Sequence, residues 1–150
     1  PVWEQLAAQS REQRTLVLDD GSKFVVPADL LGMHSSVLRK IFYVYQRDDA
    51  EIKLPQLPSD VFELFLKTLC GLRLNLEEMT LVCPLAHRFM TPVLIKTCDD
   101  LMFTAVKNQL LSAFVPLSIA EESLWLHHCD RYINLYSSLD DFMAKNSSYK

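Results

Sequence analysis

The chain has 150 residues, of which 49% are hydrophobic and 23% are charged, and its formal net charge is −4. This balance predicts one folded domain whose core needs neither a disulfide nor a metal ion, and it excludes a disordered chain. An acidic chain offers no basic face for a phosphate backbone, and its apolar runs are shorter than the roughly 20 residues of a membrane helix, so we expect no nucleic acid and no membrane as partners.

Residues 3–9 open the chain with a predicted short helix whose apolar face includes Trp3 and Leu6. The next two apolar segments, 15–18 and 23–26, predict strands, because Asp20-Gly21 between them supplies the positive φ angles of a tight hairpin turn. We therefore expect an antiparallel pair of strands on which the first helix can pack.

A longer helix is predicted after the hairpin. Residues 29–31 form a brief helical turn that Gly32 ends, and Ser35 or Ser36 can cap the helix that follows. The apolar residues of this helix recur on one broad face. They are Val37, Leu38, Ile41, Phe42 and Tyr45. On this spacing Phe42 and Tyr45 point to the core, while Tyr43 and Val44 lie on the opposite side.

The third strand is predicted at residues 51–55, where charged and apolar side chains alternate. Asp60 and Glu63 have the spacing of a capping box, which predicts a helix that starts near Asp60 and ends at Gly71. From there onward the chain is predicted to be helical.

Two similar helical hairpins make up this predicted second half. The first covers residues 76–102 and the second covers 119–143, and each has an Arg-aromatic pair in its middle and an Asp-Asp pair near its end. The links within the hairpins are predicted at Thr91-Pro92 and at Asn134-Leu135, while residues 116–118 separate the two hairpins.

This order of elements resembles the BTB/POZ fold. Residues 24–31 resemble the family's strand end and first helix, and residues 35–42, Ser-Ser-Val-Leu-Arg-Lys-Ile-Phe, resemble its Ser-x-Val/Phe-Phe/Leu-x-x-hydrophobic-Phe segment. Residues 51–55, 69–71 and 85–89 are similar to the family's third strand, its Tyr-Thr-Gly and its Leu-Ala-Asp-Lys-Tyr helix. The resemblance implies an α+β fold in which helical hairpins flank a small three-stranded sheet.

The resemblance also implies that the chain has two regions. Residues 1–104 are expected to form a BTB/POZ core with a short N-terminal helix, and residues 105–150 an extension similar to the three-box, the extra helical pair of many cullin adaptors. Such a module is not an enzyme and needs no cofactor. It would dimerise with itself and link an unknown substrate or effector protein to cullin-three in a ubiquitin ligase. The alternative is a scaffold that oligomerises its host protein without binding a cullin.

The sequence departs from the family's usual charged pair at two places. Pro27-Ala28 stands where members usually have His-Lys or His-Arg, and Arg14 stands where they usually have Asp. A function that depends on that charged groove is therefore not transferred to this chain.

Two groups of residues are expected to contact other proteins. Apolar surface beyond the needs of the core predicts a dimer interface. Its residues are Trp3, Leu6, Val37, Leu38 and Ile41. Amphipathic aromatic side chains at a helix end favour an interface, and the resemblance adds the next hairpin. The candidates for partner binding are Tyr43, Val44, Tyr45, Phe89 and Met90. The segment after this helix lacks the hydrophobic-x-Glu motif that is common in cullin adaptors.

Cysteine and histidine are the remaining candidates for chemistry. Cys83 and His87 are four residues apart with Pro84 between them, and residues 127–129 are His-His-Cys, but neither group has the paired ligand spacing of a zinc site. The cysteines are predicted to be buried thiols of a reducing compartment. They are Cys70, Cys83, Cys98 and Cys129. Residues 1–5 lack a secretory signal, which, if they lie near the natural start, predicts a cytoplasmic or nuclear protein. From the spacing of its cysteines and histidines, the chain is expected to have neither a metal site nor a catalytic site.

Overall fold

The computed structural model describes residues 1–122 and 129–147, and it describes side chains in these ranges outside residues 121–130. It has the predicted α+β fold with a three-stranded sheet. In chain order the elements are α1 (Val2–Gln9), β1 (Gln13–Leu18), β2 (Lys23–Pro27), α2 (Ala28–His34), α3 (Ser36–Lys40), a π-helical turn (Ile41–Tyr45), β3 (Glu51–Leu54), α4 (Ser59–Leu69), α5 (Leu76–Arg88), α6 (Pro92–Lys107), α7 (Phe114–Glu122), α8 (Cys129–Ile133) and α9 (Leu139–Asn146).

These elements form two compact units, Pro1–Leu94 and Ile95–Lys150. The division falls inside α6, whereas the sequence prediction set the boundary after residue 104, in the same helix. None of the described helices is both long and apolar enough to cross a bilayer.

The sheet of the first unit has β1 at its centre, between β2 and β3. β1 pairs antiparallel with β2 and parallel with β3, so that Thr15 lies opposite both Val25 and Glu51. The predicted hairpin is confirmed, since Gly21 at its turn has a φ of 87° that suits glycine. The parallel pairing requires a crossover, and the segment from β2 to β3 provides it with α2 and α3.

Packed aromatic rings form the core of the first unit. Phe62 of α4 is at the centre, with ring centroids 5.3 Å from Phe24 and 6.3 Å from Phe89. Phe65 packs 5.3 Å from Phe89, and Trp3 packs 6.0 Å from Phe24. These contacts join α1, β2, α4 and the residue that follows α5. Tilted and edge-to-face pairs of this kind are favoured over flat stacking.

The second unit has its own apolar core, in which Val106, Ala113 and Tyr132 are buried. Beside it, the buried carboxylate of Asp99 accepts hydrogen bonds from the Tyr132 hydroxyl at 2.7 Å and from the Arg131 guanidinium. Arg131 also lies over the ring of Phe103, 3.9 Å from its centroid. The buried charge of α6 is therefore paired, as a buried charge must be.

The end of α2 and the position of the capping box differ from the sequence prediction. α2 continues through Gly32 to His34, because Gly32 does not adopt the left-handed conformation that ends a helix. The predicted capping box at Asp60 is wrong: α4 begins at Ser59 after Pro58, and Asp60 bonds to the adjacent Val61 amide. The capping box of this chain is formed instead by Asn75 and Glu78 at the start of α5.

Two prolines also lie inside helices, and one of them, Pro116, stands where the sequence prediction placed a break between the hairpins. Pro116 lies in the first turn of α7, where backbone amides make no hydrogen bond within the helix, so a proline is tolerated there. Residues 116–118 are therefore part of α7 and do not separate the hairpins. α5 likewise runs through Pro84. The links at Thr91 and at Asn134-Leu135 were predicted correctly.

Ser35 joins two parts of the first unit. Its fully buried hydroxyl accepts a hydrogen bond from the Leu38 amide at 3.0 Å, which confirms the predicted cap of α3. The same hydroxyl donates to the Phe89 carbonyl at 2.5 Å, a contact across 54 residues of sequence. The start of α3 is thereby tied to the chain that leaves α5.

Replacing Ser35 with Ala should lower the free energy of unfolding by about 1–3 kcal/mol, because a buried cap and a buried donor are lost together. Urea unfolding followed by circular dichroism measures the change. Ser36→Ala is the matched control, since Ser36 lies on the same helix turn and is half-buried. Equal stability of the two variants would show that the Ser35 hydroxyl has no structural role.

Candidate interaction surface

The most exposed apolar segment near the sheet is the π-helical turn Ile41–Tyr45. A π turn places one extra residue in each hydrogen-bonded ring, and here the Gln46 amide bonds to the Ile41 carbonyl at 2.9 Å. The extra residue rotates Tyr45 off the stripe that α-helical spacing predicts. Phe42 is fully buried as predicted, but Tyr45 is 74% exposed, so the prediction that it faces the core is wrong.

The three residues Tyr43–Tyr45, which we call the exposed turn, differ in how they meet solvent. Val44 is 66% exposed, whereas Tyr43 is only 36% exposed because its ring lies against Gly32 of α2. Burial raises the pKa of the Tyr43 phenol, and the nearby carboxylates of Glu12 and Asp29 raise it further. The phenol therefore stays protonated at neutral pH, and it can donate a hydrogen bond to a partner.

Arg14 of β1 holds the exposed turn in place through hydrogen bonds to backbone carbonyls. Its guanidinium donates to the carbonyls of Phe42 at 2.7 Å, of Gln46 at 2.6 Å and of Asp49 at 3.0 Å. The Phe42 carbonyl lies within the π-helical turn, whereas the carbonyls of Gln46 and Asp49 lie beyond its end, where backbone acceptors lack helical partners. Hydrogen bonds from a charged donor are stronger than neutral ones, so Arg14 fixes the backbone on both sides of Tyr45.

Gln46 extends this network to β3. Its side-chain amide accepts a hydrogen bond from the Lys53 backbone amide at 3.3 Å and approaches the Lys53 carbonyl at 3.5 Å. Arg14 holds the backbone of Gln46 while the side chain of Gln46 reaches the strand. The loop between the exposed turn and β3 is therefore fixed at both of its ends.

Phe89 and Met90, the predicted contacts from the next hairpin, have opposite environments. Phe89 is 2% exposed and packs among the core rings, so its side chain does not reach the surface and we correct its assignment as a contact. Met90 is exposed and has a φ of 49°, at the link between α5 and α6. Of this pair, Met90 alone has side-chain surface that a partner can touch.

The predicted dimer residues divide in the same way. Trp3 and Leu38 are buried within their own chain, because Trp3 packs on Phe24 and Leu38 lies on the inner face of α3. Leu6 of α1 is half-buried, as are the two remaining candidates. These two are Val37 and Ile41. The apolar surface that these five residues expose to solvent therefore comes mainly from Leu6, Val37 and Ile41.

In the described part of the chain, the cysteines and histidines are not gathered into a ligand set. Among the described residues no three His, Cys, Asp or Glu side chains converge as metal ligands. Cys83 and Cys98 are buried as predicted, whereas Cys70 is half-buried. Burial raises the pKa of Cys70, which makes its reactive thiolate scarcer. The remaining candidates for this chemistry, in residues 127–129, have side chains outside the described part of the chain.

Two residues of this surface were missed in the sequence. The sequence analysis treated Arg14 only as a departure from a family pattern. Arg14 shares a strand face with the buried Leu16 and Leu18, and a charged side chain on an inward face requires a hydrogen-bonding partner. This alternation was the signal that could have identified it. Met33 is 79% exposed beside Gly32, the residue against which Tyr43 lies. Because α2 was predicted to stop at Gly32, Met33 was not placed on a helix.

The comparison with protein families gives one match. A family model described as the BTB/POZ domain matches residues 7–105, roughly two thirds of the chain. The matched range includes the sheet, Arg14 and the exposed turn. The comparison with curated proteins gives no match.

Replacing Arg14 with Gln should loosen the exposed turn and leave the sheet paired, because three charge-assisted hydrogen bonds are lost outside the strand ladder. Local stability at the amides of Gln46 and Asp49 should fall by about 1–3 kcal/mol. Hydrogen exchange by NMR resolves these amides from those of β1. Arg11→Gln, at an exposed position two residues before β1, is the control. Unchanged exchange at Gln46 would contradict the role of Arg14.

Proposed function

The chain belongs to the BTB/POZ family, and from this membership we propose that it is a homodimerising adaptor module whose exposed turn binds a partner protein. The family's domain is a non-catalytic module for protein–protein interaction or dimerisation. The functional question is therefore which surfaces meet which proteins. Exposure and rigidity of the described side chains are the observations that bear on it.

A single observation carries the partner-binding proposal. Val44 and Tyr45 are strongly exposed, yet Arg14 fixes the backbone that carries them with three hydrogen bonds. Rigid, exposed aromatic side chains bind with little loss of conformational entropy, and such residues are enriched among the contacts that dominate binding energy. A flexible loop with the same side chains would not have this advantage.

Self-association is proposed at the face that carries Leu6, Val37 and Ile41. Each side chain is half-buried in the single chain and has apolar area left to cover. Trp3 and Leu38 would add no contact area of their own, since they have almost no exposed area. BTB domains typically self-associate, and a symmetric dimer places the same patch on both copies.

We propose cullin-three as the partner of the exposed turn, with an unknown substrate or effector protein bound elsewhere. The proposal assigns residues 105–150 to a three-box-like extension, and it retains Tyr43, Val44, Tyr45 and Met90 as contacts. Apolar anchors commonly supply most of an interface's energy, while charges at its rim tune rate and specificity.

The scaffold without cullin binding is the second candidate, and one feature of the sequence favours it. The loop Arg47-Asp48-Asp49 lacks the glutamate of the hydrophobic-x-Glu motif. In its place, Asp49 contributes a carbonyl to the Arg14 network. A dimeric scaffold would use the same self-association face, so cullin binding is the property that separates the two candidates.

Light scattering tests the proposed dimer. The wild-type chain should have the mass of two copies at tens of micromolar, and Leu6→Asp should give a folded monomer, because a charge on the shared patch would be desolvated twice in the dimer. Leu81→Asp is the control, since Leu81 is an exposed leucine on α5 outside the proposed face. A wild-type monomer at these concentrations would contradict the dimer.

Calorimetry with the amino-terminal part of cullin-three from the same organism tests the partner. Micromolar or tighter binding is expected, and Tyr43→Ala and Tyr45→Ala should each weaken it by about 1–3 kcal/mol, because each removes an aromatic anchor. Leu72→Ala, at an exposed leucine after α4, is the control. No heat at high micromolar concentrations would favour the scaffold, and binding that both tyrosine variants leave unchanged would exclude the exposed turn.

A further inference from the structure

A groove in the second unit has features that the proposed function does not use. Its volume is about 240 Å³. The apolar part of its lining comes from Val106, Leu111, Leu135 and Tyr136, and two lysines, Lys107 and Lys145, complete its charged rim. This volume is smaller than the roughly 300–1,000 Å³ of pockets for drug-sized ligands and cofactors. The groove therefore suits one or two side chains of a peptide.

The walls of the groove are held by buried hydrogen bonds. Asn146 of α9 is buried, and its side chain accepts from the Ala113 amide at 2.7 Å while it donates to the Phe142 carbonyl at 2.8 Å. Next to the lining residues of α6, the Leu110 amide bonds to the Ala105 carbonyl at 2.8 Å, which closes the end of this helix. A groove with such supports is largely formed before a ligand arrives, so binding need not reorder it.

The charge of the rim is opposite to that of its surroundings. Residues 95–150 contain seven Asp and Glu but only five Lys and Arg, and two of these lysines lie on the groove. Among the described residues, no Asp or Glu lines the groove. Lys145 is paired with Asp141 at 3.4 Å, whereas Lys107 has no ion pair within the described part of the chain. The rim therefore attracts an anionic group.

The apolar lining continues into exposed aromatic side chains. Tyr136 packs edge-on against Phe142 at 4.9 Å, and Phe142 packs in the same way against Phe114 at 4.9 Å. Phe114 is exposed on α7, and Leu139 and Met143 of α9 are exposed one helical turn apart. An extended peptide could thus bury more than one apolar side chain along this surface.

We propose that this groove binds an extended segment of another protein in which a large apolar side chain is followed by Asp or Glu. The apolar side chain occupies the groove, and the carboxylate pairs with Lys107 at the rim. Two lysines are too few for recognition of an anionic membrane, for which clusters of about four to eight basic residues are typical. All residues involved lie in Ile95–Lys150, so this proposal is independent of the exposed turn in Pro1–Leu94.

Fluorescence polarisation with the full chain tests the proposal. The probe is a fluorescein-labelled peptide with an amidated carboxyl terminus, in which a Phe-Leu pair precedes an Asp-Glu pair between Gly-Ser ends. Two matched peptides carry Lys-Lys in place of the acidic pair or Ser-Ser in place of the apolar pair. The acidic apolar peptide should bind with micromolar affinity, and each matched peptide should bind at least about tenfold more weakly.

Lys107→Glu should weaken binding of the acidic apolar peptide by about tenfold or more, and Lys107→Gln should weaken it less, because the first reverses the charge and the second removes it. Lys96→Glu is the matched control, since Lys96 is an exposed lysine of α6 outside the groove. Circular dichroism checks the fold of each variant. Light scattering should give them the wild-type mass, which separates this result from any failure of the dimer.

Three outcomes would overturn the proposal. The first is no binding of the acidic apolar peptide up to millimolar concentration. The second is an equal effect of the Lys107 and Lys96 variants. The third is preferential binding to phosphatidylserine vesicles, or self-association that Lys107→Glu abolishes, either of which would give the groove a different occupant. Amide chemical-shift changes confined to residues 106–111 and 135–146 would support it.

Discussion

The packing of aromatic rings around Phe62 is the interaction on which the first unit depends. Phe62 joins β2 to α4 through Phe24, and it joins α4 to the end of α5 through Phe89. Burial of each such ring contributes about 1.5–3 kcal/mol, which is a sizeable fraction of the roughly 5–15 kcal/mol by which a domain is stable. The carbonyl of Phe89 accepts a hydrogen bond from the Ser35 hydroxyl, and Ser35 caps α3, the helix that leads into the exposed turn. The position of the surface is thus determined in the core.

The features that the sequence predicted well are those with local signals. The two-residue alternation of strands, the Asp20-Gly21 turn and the Ser35 cap each involve neighbours in sequence, and each is present in the structure. Tyr45 was misplaced because one additional residue per turn changes which side chains share a face, and no propensity in the sequence marks a π turn. Arg14 was missed because its acceptors lie 28 to 35 residues away, beyond the reach of any local pattern.

The two units offer surfaces of different chemistry. The exposed turn presents aromatic side chains whose backbone is fixed by Arg14, and the groove in the second unit combines an apolar lining with a basic rim. The first surface depends on a guanidinium that binds carbonyls, and the second is proposed to use the ammonium group of Lys107 for an external anion. The two proposed surfaces would therefore select partners of different chemistry.

The bond between Gln46 and Lys53 has a consequence for the sheet as a whole. β3 is an outer strand, and the outward backbone groups of such a strand can template pairing with a strand from another molecule. The Gln46 side-chain amide has the donor and acceptor of a peptide group, and it contacts the backbone amide and carbonyl of Lys53, where an incoming strand would form its hydrogen bonds. Pro55, immediately after β3, has no amide proton to offer. The Gln46 side chain therefore hinders the addition of a strand at this point of the β3 edge.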